Sequence, residues 1–156
     1  MTEVTPVTEL EVLYREEAPG MWRAMLLFSG DREIASDAVA EAFAQALRRG
    51  EGIQDPRRWI WKTAYRVAAG QLQQRGRLDK EPTELTYDLS ETSALLSIAM
   101  RQLSPMQRAS IVLHDYAGYK LREVAAMTGS TTSAVGVHLS RARAKLRRLL
   151  EDDPDA

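Results

Sequence analysis

Apolar residues recur along this chain every three or four positions, the spacing that lines one face of an α-helix. No stretch shows the strict alternation of a half-buried strand. From Ala35 the apolar set runs Ala35, Ala38, Val39, Ala42, Phe43, Ala46 and Leu47. Asp31 and Ser36 are both candidate N-caps for this helix, and Gly50 with Gly52 supplies its stop. Upstream, Leu10, Leu13 and Tyr14 begin another helix, which Pro19-Gly20 is expected to kink or break before Met21 to Phe28 resumes it. A third helix opens with Asp55 as cap and Pro56 in the first turn, where a missing N–H costs nothing. It carries Ile60, Ala64, Val67, Ala68 and Leu72, then fades into the polar run Gln71 to Arg77. Residues 78–92 hold no period, contain Pro82 and several acids, and are expected to be a linker. Beyond them lies Ala94 to Leu103, and Ser104-Pro105 then opens a helix through Leu113. The expected fold is all-α. Two small helical domains, 8–77 and 93–150, are joined by the linker and followed by an acidic tail, 151–156.

Composition narrows the function classes. With no cysteine among 156 residues there is no disulfide framework, thiolate metal site or Cys nucleophile. No apolar run approaches the ~20 residues of a membrane span, and the segment from Met1 to Pro6 is acidic rather than basic. No membrane association or signal peptide is expected, and the expected location is the cytoplasm. The net charge of −1 conceals a strong pattern. Residues 1–47 carry −6, 48–80 carry +6, 81–100 carry −4, 101–150 carry +7 and 151–156 carry −4. Two basic blocks on periodic helices, separated by acids, point to two surfaces that face a polyanion.

The most specific segment runs from Lys120 to Leu150. Leu121, Val124, Ala125 and Thr128 define a short helix, and Gly129-Ser130-Thr131 forms a turn at which glycine admits a positive φ. A longer basic helix follows from about Thr132, with Val135, Leu139, Ala142, Leu146 and Leu149 on its inner face. This is the helix-turn-helix pattern, whose second helix presents its N-terminal residues to base edges in the major groove. At about 100° per residue the opposite face shows Ser133, Val137, Ser140, Arg141, Ala144 and Arg148. Hydroxyl and guanidinium groups read bases or hold phosphates, and an exposed Val137 suits a thymine methyl.

The residues now resemble a family. Leu103-Ser-Pro-Met-Gln-Arg, Leu121-Arg-Glu-Val-Ala, and Val135 to Leu139 followed by Ser140-Arg-Ala-Arg-Ala-Lys-Leu look like region 4 of bacterial RNA polymerase sigma factors. Asp37-Ala-Val-Ala-Glu-Ala-Phe and Arg58-Trp-Ile-Trp-Lys-Thr-Ala-Tyr-Arg-Val-Ala look like region 2. The two occur in the right order with no domain between them, which is the layout of the extracytoplasmic-function (ECF) type. The resemblance implies a subunit that binds core RNA polymerase and directs promoter recognition and opening, with no catalytic residues of its own. Asp37, Glu41, Gln45 and Arg48 would then contact the polymerase. Arg57, Arg58, Trp59, Trp61, Lys62, Tyr65 and Arg66 would face the melted −10 element, with some of the aromatics needed for the core. Thr132, Ser133, Val137, His138, Ser140, Arg141, Arg143 and Arg148 would face the −35 element. An anti-sigma partner is a further expectation that the family carries.

Several positions depart from the family pattern. Ala40 stands where Gln is usual, and Ser133-Ala134 where Gly-Thr is frequent. Gly136 and His138 replace Lys or Arg beside the recognition-helix valine, and Gln71, Gln73 and Gln74 make the end of the third helix less basic. Fewer cations mean weaker contacts to phosphate or guanine. These departures keep open a second reading, a sigma-like helix-turn-helix regulator or decoy that binds DNA without initiating transcription. A third, an all-α interaction protein without DNA, is opposed by the two basic blocks. His114 and His138 are too isolated for a metal or base role and are expected at the core edge and the groove edge. The nine glycines form no nucleotide-binding pattern, so no cofactor or metal is expected.

Overall fold

The structure, a computed structural model, describes residues 7–77 and 91–151, with side chains from 9–76 and 94–151. Among the described residues there are helices and turns and no strand. Most of the residues 78–92 expected as a linker, and the tail after Glu151, lie outside the described residues. The rest divides into two compact units.

The first unit holds α1 (Val7–Ser29), α2 (Arg32–Arg49) and α3 (Pro56–Arg77). Of the kink or break expected at Pro19-Gly20, the break does not occur: α1 continues through Pro19. Arg15 and Pro19 both lie on the exposed side, so the carbonyl deprived of its N–H partner is open to water. The buried residues on either side, Ala18, Met21, Ala24 and Met25, hold the helix in register against α3. In α2 the expected apolar face is buried from Ile34 to Ala46, but Leu47 is 53% exposed at the edge of a surface groove with Tyr14 and Phe43. Of the two candidate caps, Asp31 directly precedes the helix. Ser36 lies inside it, where its hydroxyl accepts from the Trp22 indole N–H at 3.1 Å. Asp55 caps α3: its Oδ1 accepts from the Arg58 amide at 3.2 Å.

The second unit holds α4 (Glu91–Met100), α5 (Pro105–Ser110), α6 (Leu121–Thr128) and α7 (Thr132–Glu151), with α4, α5 and α6 all packed on α7. Glu91 and Thr92 are already helical rather than linker. Ser104 caps α5 in a reciprocal pair: its Oγ accepts from the Gln107 amide at 3.2 Å, and Gln107 Oε1 accepts from the Ser104 amide at 3.0 Å. The helix does not stop at Leu113. It runs on as a wider π-turn over Ile111–Tyr116, closed by the Ala117 amide on the Val112 carbonyl at 2.9 Å. His114 sits at the core edge, where Nδ1–H donates to the Tyr119 carbonyl at 2.6 Å. On α7, Val135, Leu139, Ala142 and Leu146 are buried. Leu149, expected on the same face, is 40% exposed because α7 outlasts the helices that cover it. No described helix is long and apolar enough to cross a membrane.

Candidate nucleic-acid interface

In the second unit the turn between α6 and α7 is set by backbone chemistry. Gly129 adopts φ +70°, a left-handed conformation that side chains with a Cβ disfavour, and so ends α6. Two residues on, Thr131 Oγ1 accepts from the Ala134 amide at 3.1 Å and starts α7. The turn is therefore tight, and α7 is held by its buried stripe against α5 and α6.

This places the residues expected to face DNA in two groups. Thr132, Ser133, Val137, Ser140, Arg141 and Arg148 are exposed, and His138 is half-buried. Arg143 is already engaged. Its Nε donates to Asp115 Oδ2 at 3.1 Å and its Nη2 donates to Oδ1, a two-point clamp onto the π-turn. These hydrogen bonds hold the Arg143 pKa above its ordinary value. Asp115 was not signalled by periodicity, because the pair joins positions 28 apart.

In the first unit, Gln45, Arg49, Trp59, Lys62, Thr63, Arg66 and Val67 line one shallow groove between the end of α2 and the face of α3. Trp59 is half-buried, and the Arg49 guanidinium carbon lies 5.9 Å from its ring centroid. The groove thus combines cations with one aromatic face. Arg49 opens the loop 49–58 that the resemblance also implies would face the −10 element, whereas Thr63 was not a named contact. Arg49 itself lies in the +6 block of residues 48–80.

Three expected members of this site point elsewhere. Trp61 and Tyr65 are 2% and 8% exposed, so neither presents a face on which an unstacked base could lie. Both are core. Tyr65 packs edge-on against Phe28 with centroids 5.2 Å apart, and burial raises its phenol pKa. The Trp61 indole N–H donates to Glu17 Oε2 at 3.3 Å, and Arg57 Nε donates to Oε1 of the same carboxylate. Arg57 also lies 5.6 Å from the Trp61 ring centroid, so its charge serves the joint between α1 and α3. Arg58 is exposed beside Asp55, 3.8 Å away.

The expected polymerase contacts follow one side of α2. Glu41 Oε1 accepts from Gln45 Nε2 at 3.0 Å and from Arg48 Nη2 at 2.8 Å, and Asp37 is exposed one turn earlier. The Gln45 hydrogen bond, then the Arg48 one, holds the Glu41 carboxyl below its ordinary pKa. The cluster is an ordered polar patch ending in a cation.

Comparison with known proteins identifies the family. The family described as Sigma-70, region 4 matches residues 94–146. The chain is 31% identical over 156 residues to the RNA polymerase sigma-E factor of Streptomyces antibioticus, covering 93% of this chain and 86% of that protein. It is 26% identical over 155 residues to the ECF RNA polymerase sigma factor SigE of Mycolicibacterium smegmatis, covering 88% of this chain but spanning only 60% of that longer relative. Among solved structures, the sigma factor RpoE of Bartonella quintana, crystallised with the anti-sigma factor NepR, superposes with TM-score 0.74 at 21% identity. That match covers 94% of this chain and 99% of the other. The chain belongs to the bacterial RNA polymerase sigma factors, in the ECF type.

Proposed function

We propose that the chain is a promoter-specificity subunit: it binds core RNA polymerase and directs promoter recognition and opening, acting in the cytoplasm without catalytic groups of its own. The observation that carries this is the presence, in one sigma-family chain, of a cation-and-tryptophan groove on one unit and an exposed basic recognition helix on the other. We assign 8–77 to polymerase binding and the −10 element, and 93–150 to the −35 element, joined through 78–92. Trp59, Lys62, Arg66 and Arg49 would hold the unstacked −10 strand. Arg141, Arg148 and the hydroxyl groups of Thr132, Ser133 and Ser140 would hold the −35 duplex. Asp37, Glu41, Gln45 and Arg48 would meet a basic polymerase surface. An anti-sigma protein covering these faces is a further partner, in keeping with the complex in which the Bartonella relative was crystallised.

The test is stoichiometric binding to bacterial core RNA polymerase, followed by run-off transcription on genomic fragments. Binding with promoter-dependent transcripts is expected; failure to bind core overturns the proposal. A second reading, a DNA-binding regulator or decoy, is favoured by the absence of Lys and Arg between Thr132 and Ser140. Core binding without transcripts from any fragment would establish that reading instead.

A further inference from the structure

The first half of α7 carries an unusual set of groups for a helix that reads DNA. A recognition helix meets base edges with its N-terminal residues. Here the residues opposite buried Val135 and Leu139 in that half are Ser133, Val137 and Ser140, all exposed, with Val137 at 48%. No Lys or Arg occurs from Thr132 to Ser140. The next cations are Arg141 and Arg143, and the guanidinium of Arg143 is held at two points by Asp115. Guanine is read by a bidentate Arg or Lys on O6 and N7, whereas thymine offers a C5-methyl group to an apolar side chain.

Gly136 adds a second, independent observation. A Cβ built there would meet no atom within 4 Å, and its φ is not in the left-handed region. Neither packing within the unit nor backbone conformation requires glycine, although glycine weakens a helix interior relative to alanine. What glycine does provide is a missing side chain next to Val137, so that the backbone approaches a groove wall closely enough for a short side chain to touch a base edge.

We infer that Val137 is a specificity-determining residue that packs on a thymine C5-methyl group, with Gly136 permitting the approach, and that this half of α7 does not select guanine. The inference rests on the placement of α7 in the −35 duplex given under the proposed function. To test it, the full chain is combined with bacterial core RNA polymerase, and a duplex library randomised over the upstream element is selected for binding. Thymines in the enriched duplex are then replaced singly by deoxyuridine, which removes only the methyl group. At least one replacement is expected to weaken binding about fourfold, equivalent to ~0.8 kcal/mol for one buried methyl group. Val137→Ala should lose that sensitivity, and Gly136→Lys should move enrichment toward guanine. Deoxyuridine without effect, an equal loss in the parent and Val137→Ala, or guanine enriched under α7 in the parent would each overturn the inference. Failure of the parent chain to bind core would instead overturn the proposed function, and a library that does not enrich despite core binding overturns the assignment of α7 to duplex reading and this inference with it.

Discussion

α3 and α7 are both basic helices with interleaved apolar residues, yet the fold uses their chemistry in opposite ways. α3 gives Ile60, Trp61, Ala64, Tyr65 and Ala68 to the core and commits Arg57 to Glu17, leaving Trp59, Lys62 and Arg66 along one groove. α7 buries a narrow stripe and keeps Ser133, Val137, Ser140, Arg141 and Arg148 exposed. Aromatic rings bring large apolar areas, so a small unit draws them inward, while hydroxyl and guanidinium groups stay out. Aromatic content therefore overstates the number of exposed rings on α3, whereas on α7 cation content overstates the available charge at Arg143, held by Asp115, and at Lys145, whose Nζ donates to the Gln102 carbonyl.

The largest expected effect breaks the equivalence of the two tryptophans. Trp61→Ala should cost about 3–5 kcal/mol of stability, as large-to-small changes in packed cores do, read as a lower denaturation midpoint of the first unit. Trp59→Ala should leave that midpoint nearly unchanged but lose about 1–3 kcal/mol of single-stranded −10 binding, the worth of one stacked base. The reverse result would exchange their roles. Next in size is the contrast between two arginines of α7. Arg141→Gln should lower the salt dependence of duplex binding by about 0.9 in slope, the signature of one lost phosphate contact. Arg143→Gln should leave the slope unchanged and cost less than about 1 kcal/mol of stability, as for other exposed ion pairs. Equal slopes for both variants would remove the distinction.

The smallest effect concerns pH. The folded Glu41 carboxyl has a depressed pKa, so its contribution to stability is present above the ordinary value of 4.5 and is lost as pH falls through the folded value. Glu41→Gln should lower stability slightly near neutrality and converge with the parent in acid, flattening the stability–pH curve below pH 4.5, as followed by acid titration of the melting temperature.

The sequence was legible where a local rule fixes a local structure. The caps at Asp55 and Ser104, the left-handed Gly129 and the start of α7 at Thr132 each follow from one residue and its neighbours. Pro19 does not break α1, because its cost depends on which side of the helix faces water, which spacing near position 19 does not reveal. Leu47 and Leu149 misled because periodicity continues past the point where the opposing surface ends. At the candidate sites the residue types were readable but their commitments were not. Trp61 and Arg57 are claimed by Glu17, 44 and 40 positions upstream, and Arg143 by Asp115, so tertiary pairing decided which charges remained available.

The π-turn at Ile111–Tyr116 also sets an angular phase. Each residue of an α-helix advances the side-chain direction by about 100°, so the extra residue in a π-turn shifts everything after it around the axis. Deleting one residue from this turn would restore regular i→i−4 bonding and so look harmless as local chemistry. It would also swing Asp115 away from Arg143 and release a cation beside the face proposed to read DNA. Under the proposed function, a single-codon deletion there would convert a structural arginine into a nonspecific phosphate ligand, exchanging promoter selectivity for general stickiness to DNA.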